Sequence, residues 1–494
     1  MRELFGRAGI PCPEYAENIE VKNIVIDSRQ VTEGSLFICI KGLRRDGHEY
    51  IDKALENGAV VIVAEQVRDA CVGGAAAFIM LDNTRKVAAL LYNAYYGEPV
   101  KKLKIIGVTG TNGKTTTSTL LYEIFRRSGI SAGLIGTVCR LSADGRELSQ
   151  KNEATANMTT PDPDELYRQL AEMAKDGVEY VFMEVSSHSL ALDKVEGIEF
   201  DSAVFTNLTQ DHLDFHGTMN EYYKAKSRLF AKSRQGLINI GGEYGKKLAL
   251  TCPCPYFTYS VKEGDFYALD VKSRGFGGMS YIHKSPYGEL EIETPMMGSI
   301  AVENTLAAVA LARMYGIDGE TIRKAVKEIR GAKGRMERLD INTKAFTVIV
   351  DYAHTPDALE KLLITVRCLM GEKGRLTLLF GCGGERDREK RKLMGSIATK
   401  LSDRVVVTSD NSRGEDPRKI INDILKGIDK EKVYTVIPDR KEAIKNTVLD
   451  AKAGDVIVLA GKGHEKYEIN AEGKIPFDET EIVKNALAER QRRT

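Results

Sequence analysis

Short apolar runs bounded by turn residues recur along the chain, separated by longer segments of helical pattern. Near the start, NIVIDSR, GSLFICIKG and GAVVIVAE read as strands around the helical segment YIDKALENG. From KKLKIIGVTG onward, strands alternate with helices, with further strands at VEYVFMEV and DSAVFTNL. After GAKGRMERLD come the apolar strands FTVIVDY, RLTLLFG, DRVVVTS and GDVIVLAG, spaced by helical segments such as DALEKLLITVRCLM. Apolar strands joined by helices predict mainly parallel sheets with helical crossovers. The expected fold class is α/β in three domains, over residues 1–97, 98–332 and 333–494. In such open sheets ligands gather at the C-terminal strand ends.

One strand-to-helix turn carries a chemical signal. LKIIGV is a short β-type run, and TTSTLLYEIFRRSG is helical: Leu120, Leu121, Ile124 and Phe125 form one apolar stripe. Arg126 and Arg127 favour the helix C-terminus, and Gly129 ends it. Between strand and helix lie Gly110, Thr111, Asn112, Gly113, Lys114, Thr115 and Thr116. Backbone N–H groups and the helix dipole attract phosphate at such a turn. Counting back from Gly113-Lys114-Thr115, Val108 stands where the common phosphate loop has its first glycine. Gly110 and Gly113 still let the backbone close on an anion. Lys114 would neutralise β- and γ-phosphates, and the Thr115 hydroxyl would hold Mg²⁺.

Composition narrows the alternatives. At 494 residues the chain is too long for one core and fits about three domains. With 71 basic and 70 acidic residues it lacks the basic excess of a sequence-independent nucleic-acid binder. No apolar run approaches the roughly 18 residues of a membrane span, and MRELFGRAGIPCPEY lacks a secretory signal's long apolar stretch. The eight cysteines are scattered, and only Cys252 and Cys254 lie close together. That is neither a zinc pattern nor a disulfide framework, so reduced thiols and a cytoplasmic location are expected.

TGTNGKTT resembles the ATP loop of the Mur ligases and of their folylpolyglutamate synthetase relatives, rather than that of kinases or GTPases. EVSSH (184–188), TNLTQDHLDFHG (206–217), GRMER, DYAHTPDAL, GCGGERD, SDNSRGEDP and GKGHE then follow in that family's order over nearly the whole chain. Together they resemble the MurE type, which adds the third residue of the peptidoglycan stem peptide. The resemblance implies a small N-terminal UDP-binding domain, a central P-loop-type ATPase domain and a C-terminal Rossmann-like domain. It also implies a reaction in which ATP converts a carboxylate to an acyl phosphate and an amine then displaces the phosphate.

The family's positions carry over residue by residue. Lys114, Glu184, His212 and Lys226 would be catalytic. Thr115, Glu184, His212 and Lys226, the last as an N-carbamate, would hold Mg²⁺. Lys224 competes with Lys226 for that role, and both would otherwise read as solvated helix residues. His216 reads as closing the DFHG turn. Asn304 resembles the position that meets adenine, and Arg335 and Asp351 match nucleotide-proximal positions. Ser28 would contact the UDP end, with Arg29, Lys41 and Asp46 nearby in the motif. Thr159, Thr160 and Ser186 would contact the muramoyl-dipeptide. Leu192 and Lys194 stand where Gln and Arg are common, and Lys lacks Arg's planar fork.

SDNSRGEDP resembles the stretch associated with meso-diaminopimelate, with Ser412 in place of proline. Asp410, Asn411, Ser412, Arg413, Arg386, Gly461 and Glu465 complete the implied amino-acid pocket. Arg413 would pair bidentately with the distal carboxylate that lysine lacks, and Glu465 would balance the distal ammonium. That pair would discriminate against lysine roughly a thousandfold. Serine at 412 leaves the loop freer than proline would. The bland reading of Arg413 is an exposed loop residue paired with Glu415 or Asp416.

The substrates implied are UDP-MurNAc-L-Ala-D-Glu, ATP and a diamino acid, used by a monomer without nucleic acid or membrane insertion. The same ligase using L-lysine, and a folylpolyglutamate synthetase-type ligase, are the alternatives. A regulatory NTPase would hydrolyse ATP without either co-substrate.

Overall fold

A computed structural model describes residues 1–42, 45–66, 76–150, 158–371 and 374–493. Leu43 and Arg44 of the UDP-end motif, and Asn157 before Met158, lie outside the described residues. The chain packs as two compact units. One is Met1–Tyr267 with Ser285–Tyr287 and Leu306–Ile322; the other is Ala268–Lys284 with Gly288–Thr305 and Arg323–Thr494.

The first unit contains two sheets. The smaller has four parallel strands in chain order: β1 (Asn23–Val25), β2 (Ser35–Ile38), β3 (Ala59–Ala64) and β4 (Ala77–Met80). Leu36, Ile38, Val61 and Val63 share one apolar core with Val87 and Leu91 of the helix Thr84–Tyr95. Phe37, Cys39 and Ile62 face the other way, onto Ile51 and Ala54 of the helix Ile51–Glu56. The period-2 alternation of strand side chains explains why both sets are apolar here.

The part of the larger sheet in this unit runs β11-β10-β9-β5-β8-β6-β7, with Phe266 and Tyr267 of β12 beside β11. These strands are β5 (Lys104–Thr109), β6 (Ala132–Ile135), β7 (Arg140–Leu141), β8 (Tyr180–Glu184), β9 (Ser202–Phe205), β10 (Gly236–Asn239), β11 (Tyr256–Ser260) and β12 (Phe266–Ser273). All are parallel to their neighbours except β7, which is antiparallel to β6. From β5 the chain crosses to β6 and returns to β8, then passes over β5 to β9. The C-terminal ends of β8, β5 and β9 therefore lie side by side where the winding direction changes, the usual place for a ligand. The helix Lys114–Arg127 buries Leu120, Leu121, Ile124 and Phe125, the expected stripe. Phe125 packs edge-on to Phe182 of β8, with ring centroids 4.8 Å apart.

In the second unit, β13 (Met279–Lys284) and β14 (Leu290–Thr294) form an antiparallel hairpin. A six-stranded sheet follows the order β15-β16-β20-β17-β18-β19. Its strands are β15 (Glu337–Arg338), β16 (Thr347–Asp351), β17 (Leu376–Phe380), β18 (Arg404–Val407), β19 (Tyr434–Val436) and β20 (Val456–Ala460). Only β15 is antiparallel. The four apolar runs expected from the sequence are β16, β17, β18 and β20, buried between two apolar layers. Beside them, β21 (Tyr467–Asn470) and β22 (Gly473–Pro476) pair antiparallel.

Candidate active site

The phosphate-type loop leaves β5 at Gly110, whose φ of 154° suits glycine, and a Cβ there would stand 1.9 Å from Thr206 Oγ1. The loop is stitched to the TNLTQ segment after β9. Thr111 N donates to Asn207 O at 2.9 Å, Asn112 N to Asn207 Oδ1 at 2.9 Å, and Thr206 Oγ1 to Asn112 O at 2.6 Å. Gly113 closes the turn at φ 86°, and the helix begins at Lys114, two residues before the expected run. Lys114 folds back, its ammonium donating to Gly110 O at 2.8 Å and Thr111 O at 2.9 Å. Thr115 and Thr116 are buried in the first turn.

Lys226, from the helix Met219–Ala231, reaches the same carbonyl: Nζ donates to Gly110 O at 2.7 Å. It is 1% exposed. Burial, reinforced by the Lys114 charge, pushes its pKa well below the ordinary lysine range. A neutral buried amine is the form that can take up CO₂, and the geometry separates the two candidate lysines. Lys224 is exposed and bound to Glu221 at 2.8 Å.

Glu184 ends β8 opposite Val108 and is 1% exposed. Its Oε2 accepts from Thr115 Oγ1 at 2.9 Å and Thr137 Oγ1 at 3.2 Å, and Oε1 accepts from Thr137 N at 2.7 Å. Its main-chain carbonyl accepts from Thr160 Oγ1 at 2.9 Å, and Thr160 Oγ1 in turn accepts from Ser186 N at 3.0 Å. Thr159 joins through Thr137 Oγ1 at 3.0 Å. Glu184 thus ties the phosphate loop to the TTPD segment and Ser186, by its carboxylate on Thr115 and Thr137 and by its main-chain carbonyl on Thr160.

His212, His188 and His216 lie together beyond β9. The His188 ring centroid is 4.9 Å from His212 and 5.5 Å from His216. Burial and the two neighbouring rings push His188 down to about 4. Burial also lowers His212, with the Lys114 and Lys226 charges adding to it against Asp211. His216 meets Ser187 Oγ at 2.9 Å and stacks on Tyr222, which suits a structural residue. Among the described residues no three His, Cys, Asp or Glu side chains are spaced to hold a metal ion. The expected set is of another kind: a hydroxyl, a carboxylate, an imidazole and a lysine that would ligate only as a carbamate.

Near the same segment, Lys194 pairs with Asp162 at 2.7 Å, and Leu192 caps the helix Ser187–Ala191. In the small sheet Ser28 is buried in a single helical turn, and Asn57 Nδ2 donates to its carbonyl at 3.3 Å. Arg29 is held by Asp27, and Asp46 by His48.

In the second unit, Asp351 ends β16. Its two oxygens accept from Met336 N at 2.6 Å and Ala353 N at 2.7 Å, while burial raises its pKa against the Arg335 charge. The Arg335 guanidinium lies 4.7 Å over the Tyr352 ring. Gly334 is crowded: a Cβ there would stand 2.1 Å from His464 N. Asn304 is buried in the helix Ser299–Met314.

The expected amino-acid residues gather at the C-terminal ends of β17, β18 and β20. Asn411 Nδ2 donates to Glu465 Oε2 at 2.8 Å. Burial raises Glu465, and the Lys462 charge opposes it. Asp410 is buried beside Gly461, where a Cβ would meet its Oδ2 at 2.5 Å. Arg413, at φ 52°, donates from Nη1 to Gly384 O at 2.7 Å and to Asn411 O at 3.4 Å. Arg386 is exposed.

Two expectations need correcting. Arg413 does not pair with Glu415 or Asp416: Glu415 is taken by the buried Arg391 at 2.8 and 2.7 Å, and Asp416 caps the next helix. Nor does Ser412 leave its loop free. Ser412 is 3% exposed, Arg413 N donates to Ile469 O at 3.0 Å, and Gly384 N to Asn411 O at 2.9 Å. Packing supplies the rigidity that proline would have supplied locally. The sequence reading also missed Thr137, whose signal was a hydroxyl one residue beyond the strand-ending LIG, and Lys462 within GKGHE.

Three family models match the chain: "Mur ligase family, catalytic domain" over residues 20–96, "Mur ligase middle domain" over 108–312, and "Mur ligase, glutamate ligase domain" over 334–463. The chain is 43% identical over 479 residues to the UDP-N-acetylmuramoyl-L-alanyl-D-glutamate–2,6-diaminopimelate ligase of Clostridioides difficile, covering 95% of this chain and 96% of that one. It is 41% identical over 484 residues to the protein of the same name from Geobacillus thermodenitrificans, covering 96% of each. A solved structure of a ligase of that name matches with a TM-score of 0.67 and 33% identity over 95% of both chains.

Proposed function

The chain belongs to the Mur ligase family, an ATP-dependent ligase of peptidoglycan synthesis, and on that premise we propose that it adds meso-diaminopimelate to UDP-MurNAc-L-Ala-D-Glu. The carrying observation is the buried Glu184. Through Thr115 it touches the phosphate loop, and through Thr160 the TTPD segment assigned to the dipeptide. That arrangement suits a reaction in which a γ-phosphate must meet a carboxylate. A carboxylate oxygen attacks the γ-phosphorus and ADP leaves. The amine then attacks the acyl carbon and loses a proton, and phosphate departs with the former carboxylate oxygen.

Mg²⁺ fits this site: Thr115 Oγ1 in the first helical turn and Glu184 Oε2 at the end of β8, 2.9 Å apart, are hard oxygen donors. A carbamate on Lys226 would add anionic oxygens where an ammonium would repel the ion, and His212 would be the nitrogen donor. Bound there, Mg²⁺ would neutralise triphosphate charge. The chain's own part is positional and electrostatic. The N–H groups from Gly113 to Thr116, at the helix start, donate to phosphate oxygens, and Lys114 shifts from the loop carbonyls to the transferring group. Asn304, Arg335 and Asp351 serve the nucleotide, and Ser28 the UDP end. Thr159, Thr160, Ser186, Leu192 and Lys194 serve the dipeptide. Arg386, Asp410, Asn411, Ser412, Arg413, Gly461 and Glu465 serve the amino acid.

We divide the chain after residues 97 and 332, a reading supported by the separate sheets on either side of each boundary. We place the enzyme in the cytoplasm, where ATP is available, and as a monomer. No helix among the described residues is long and apolar enough to cross a membrane. The test is a panel of amino acids with UDP-MurNAc-L-Ala-D-Glu and ATP, scored by product mass. A diaminopimelate adduct, and ADP release only with both co-substrates present, is expected. ADP release without them, or a folate substrate consumed instead, refutes the reading.

A further inference from the structure

Lys462 is fully buried, an expensive place for an ammonium unless its partners are built around it. Nζ donates to Asn411 Oδ1 at 2.9 Å and to Tyr467 O at 2.8 Å, and stands 3.7 Å from Glu465 Oε2. Ile469 N donates to the same Asn411 oxygen at 2.9 Å. Two donors on Oδ1 settle which way the amide faces, so Asn411 Nδ2 is turned toward Glu465 Oε2. The lysine thus sits behind Glu465, assigned to the distal ammonium, and behind Asn411 of the same pocket.

From this geometry we propose that Lys462 is the positioning residue for the distal ammonium of the incoming amino acid. It orients Asn411 and holds Glu465 as a carboxylate, without touching the ligand itself. The inference rests on the functional reading above. The groups facing Glu465 are Lys462, Asn411, Asp410, Tyr467 and, from the end of β16, the Tyr352 hydroxyl. Of these only Lys462 is a cation, while Asp410 and burial both push toward the protonated acid. Removing the lysine charge leaves burial and Asp410 to push Glu465 further toward the protonated acid, and a neutral acid is a poor partner for an ammonium. Raising the pH restores the carboxylate.

The variants are Lys462→Met and Lys462→Gln. The second keeps a donor for Asn411 and Tyr467 and removes only the charge, so it carries the test even if the first does not fold. Initial rates against diaminopimelate concentration at pH 7, 8 and 9, with ATP and nucleotide substrate saturating, are compared with wild type. KM should rise at least tenfold at pH 7 and recover to within about threefold at pH 9, while kcat stays within about threefold. In a Glu465→Gln background, Lys462→Gln should add less than twofold. An unchanged KM, a rise equal at every pH, or additive effects with Glu465→Gln overturns the proposal. If wild type makes no diaminopimelate adduct at all, it is the functional reading that falls.

Discussion

Replacing Arg413 with alanine should change which amino acid the enzyme prefers more than it changes how fast it works. The side chain is presented ready-made, with its main-chain N–H on Ile469 O and Nη1 on Gly384 O at 2.7 Å. Among the described residues no carboxylate meets the guanidinium, so its remaining N–H groups face whatever the ligand supplies. A charge-assisted hydrogen bond contributes about 1.5–3 kcal/mol. A bidentate pair doubles that, but Arg413 is half-buried, and the freed carboxylate regains water. A net loss of about 3 kcal/mol is reasonable, which at about 1.4 kcal/mol per tenfold is roughly a hundredfold in kcat/KM for diaminopimelate. Lysine has no distal carboxylate and should lose less than about threefold. The same geometry lowers the roughly thousandfold discrimination expected from an unpaired arginine. Gly384 O and Asn411 O still satisfy part of the guanidinium when lysine enters. The assay is competition between the two amino acids with both products weighed by mass spectrometry. Equal losses for both substrates, or a wild type that prefers lysine, would refute the assignment.

Lys114→Ala should cut ADP release by about 3 kcal/mol of transition-state stabilisation, a hundredfold or more, with an unchanged unfolding curve; near-normal turnover contradicts the phosphate-loop assignment. Lys226→Ala should be nearly inactive and Lys224→Ala nearly normal. ¹³C-labelled CO₂ should give a carbamate resonance that only the first substitution removes, and a short carboxylic acid should restore part of the lost activity. Arg391→Met should destabilise the second unit by about 1–3 kcal/mol at pH 7, because Glu415 loses its bidentate partner, whereas Asp423 keeps Lys426 at 2.6 Å. Hydrogen bonding to Arg391 holds Glu415 near 2 instead of its ordinary 4.5, so this contribution is present above about 4.5 and lost as pH falls toward 2. The stability gap between wild type and variant, read from denaturant unfolding, should therefore narrow over that interval; a constant gap would show that the pair is not its source.

The phosphate loop, its flanking strand and helix, the apolar strands of the C-terminal sheet and the order of the motifs were all legible in the chain. Each depends on near-neighbour rules: strand and helix periodicity, the φ freedom of Gly110 and Gly113, and a basic last helical turn. Glu184 was legible as a strand-end acid beside a phosphate loop. Its partners were not. Thr115 lies 69 residues away, Thr137 47, and Lys226 is 116 from the Gly110 carbonyl it reaches. No local pattern encodes such pairs, because they exist only once β8, β5 and β9 have been laid side by side. The motif already favoured Lys226 over Lys224, but the different surroundings of the two lysines belong to the same level. Two residues apart on one helix they point in different directions, and only the fold decides that one meets Glu221 at the surface and the other a buried carbonyl. Ser412 shows the limit most directly: read locally, serine loosens a loop, whereas Ile469 of β21 and Gly384 of the loop after β17 pin that loop from far away in the chain. Charge follows the same logic. Lys462 looks like any other lysine in the sequence, and its burial among Asn411, Tyr467 and Glu465 is set by packing.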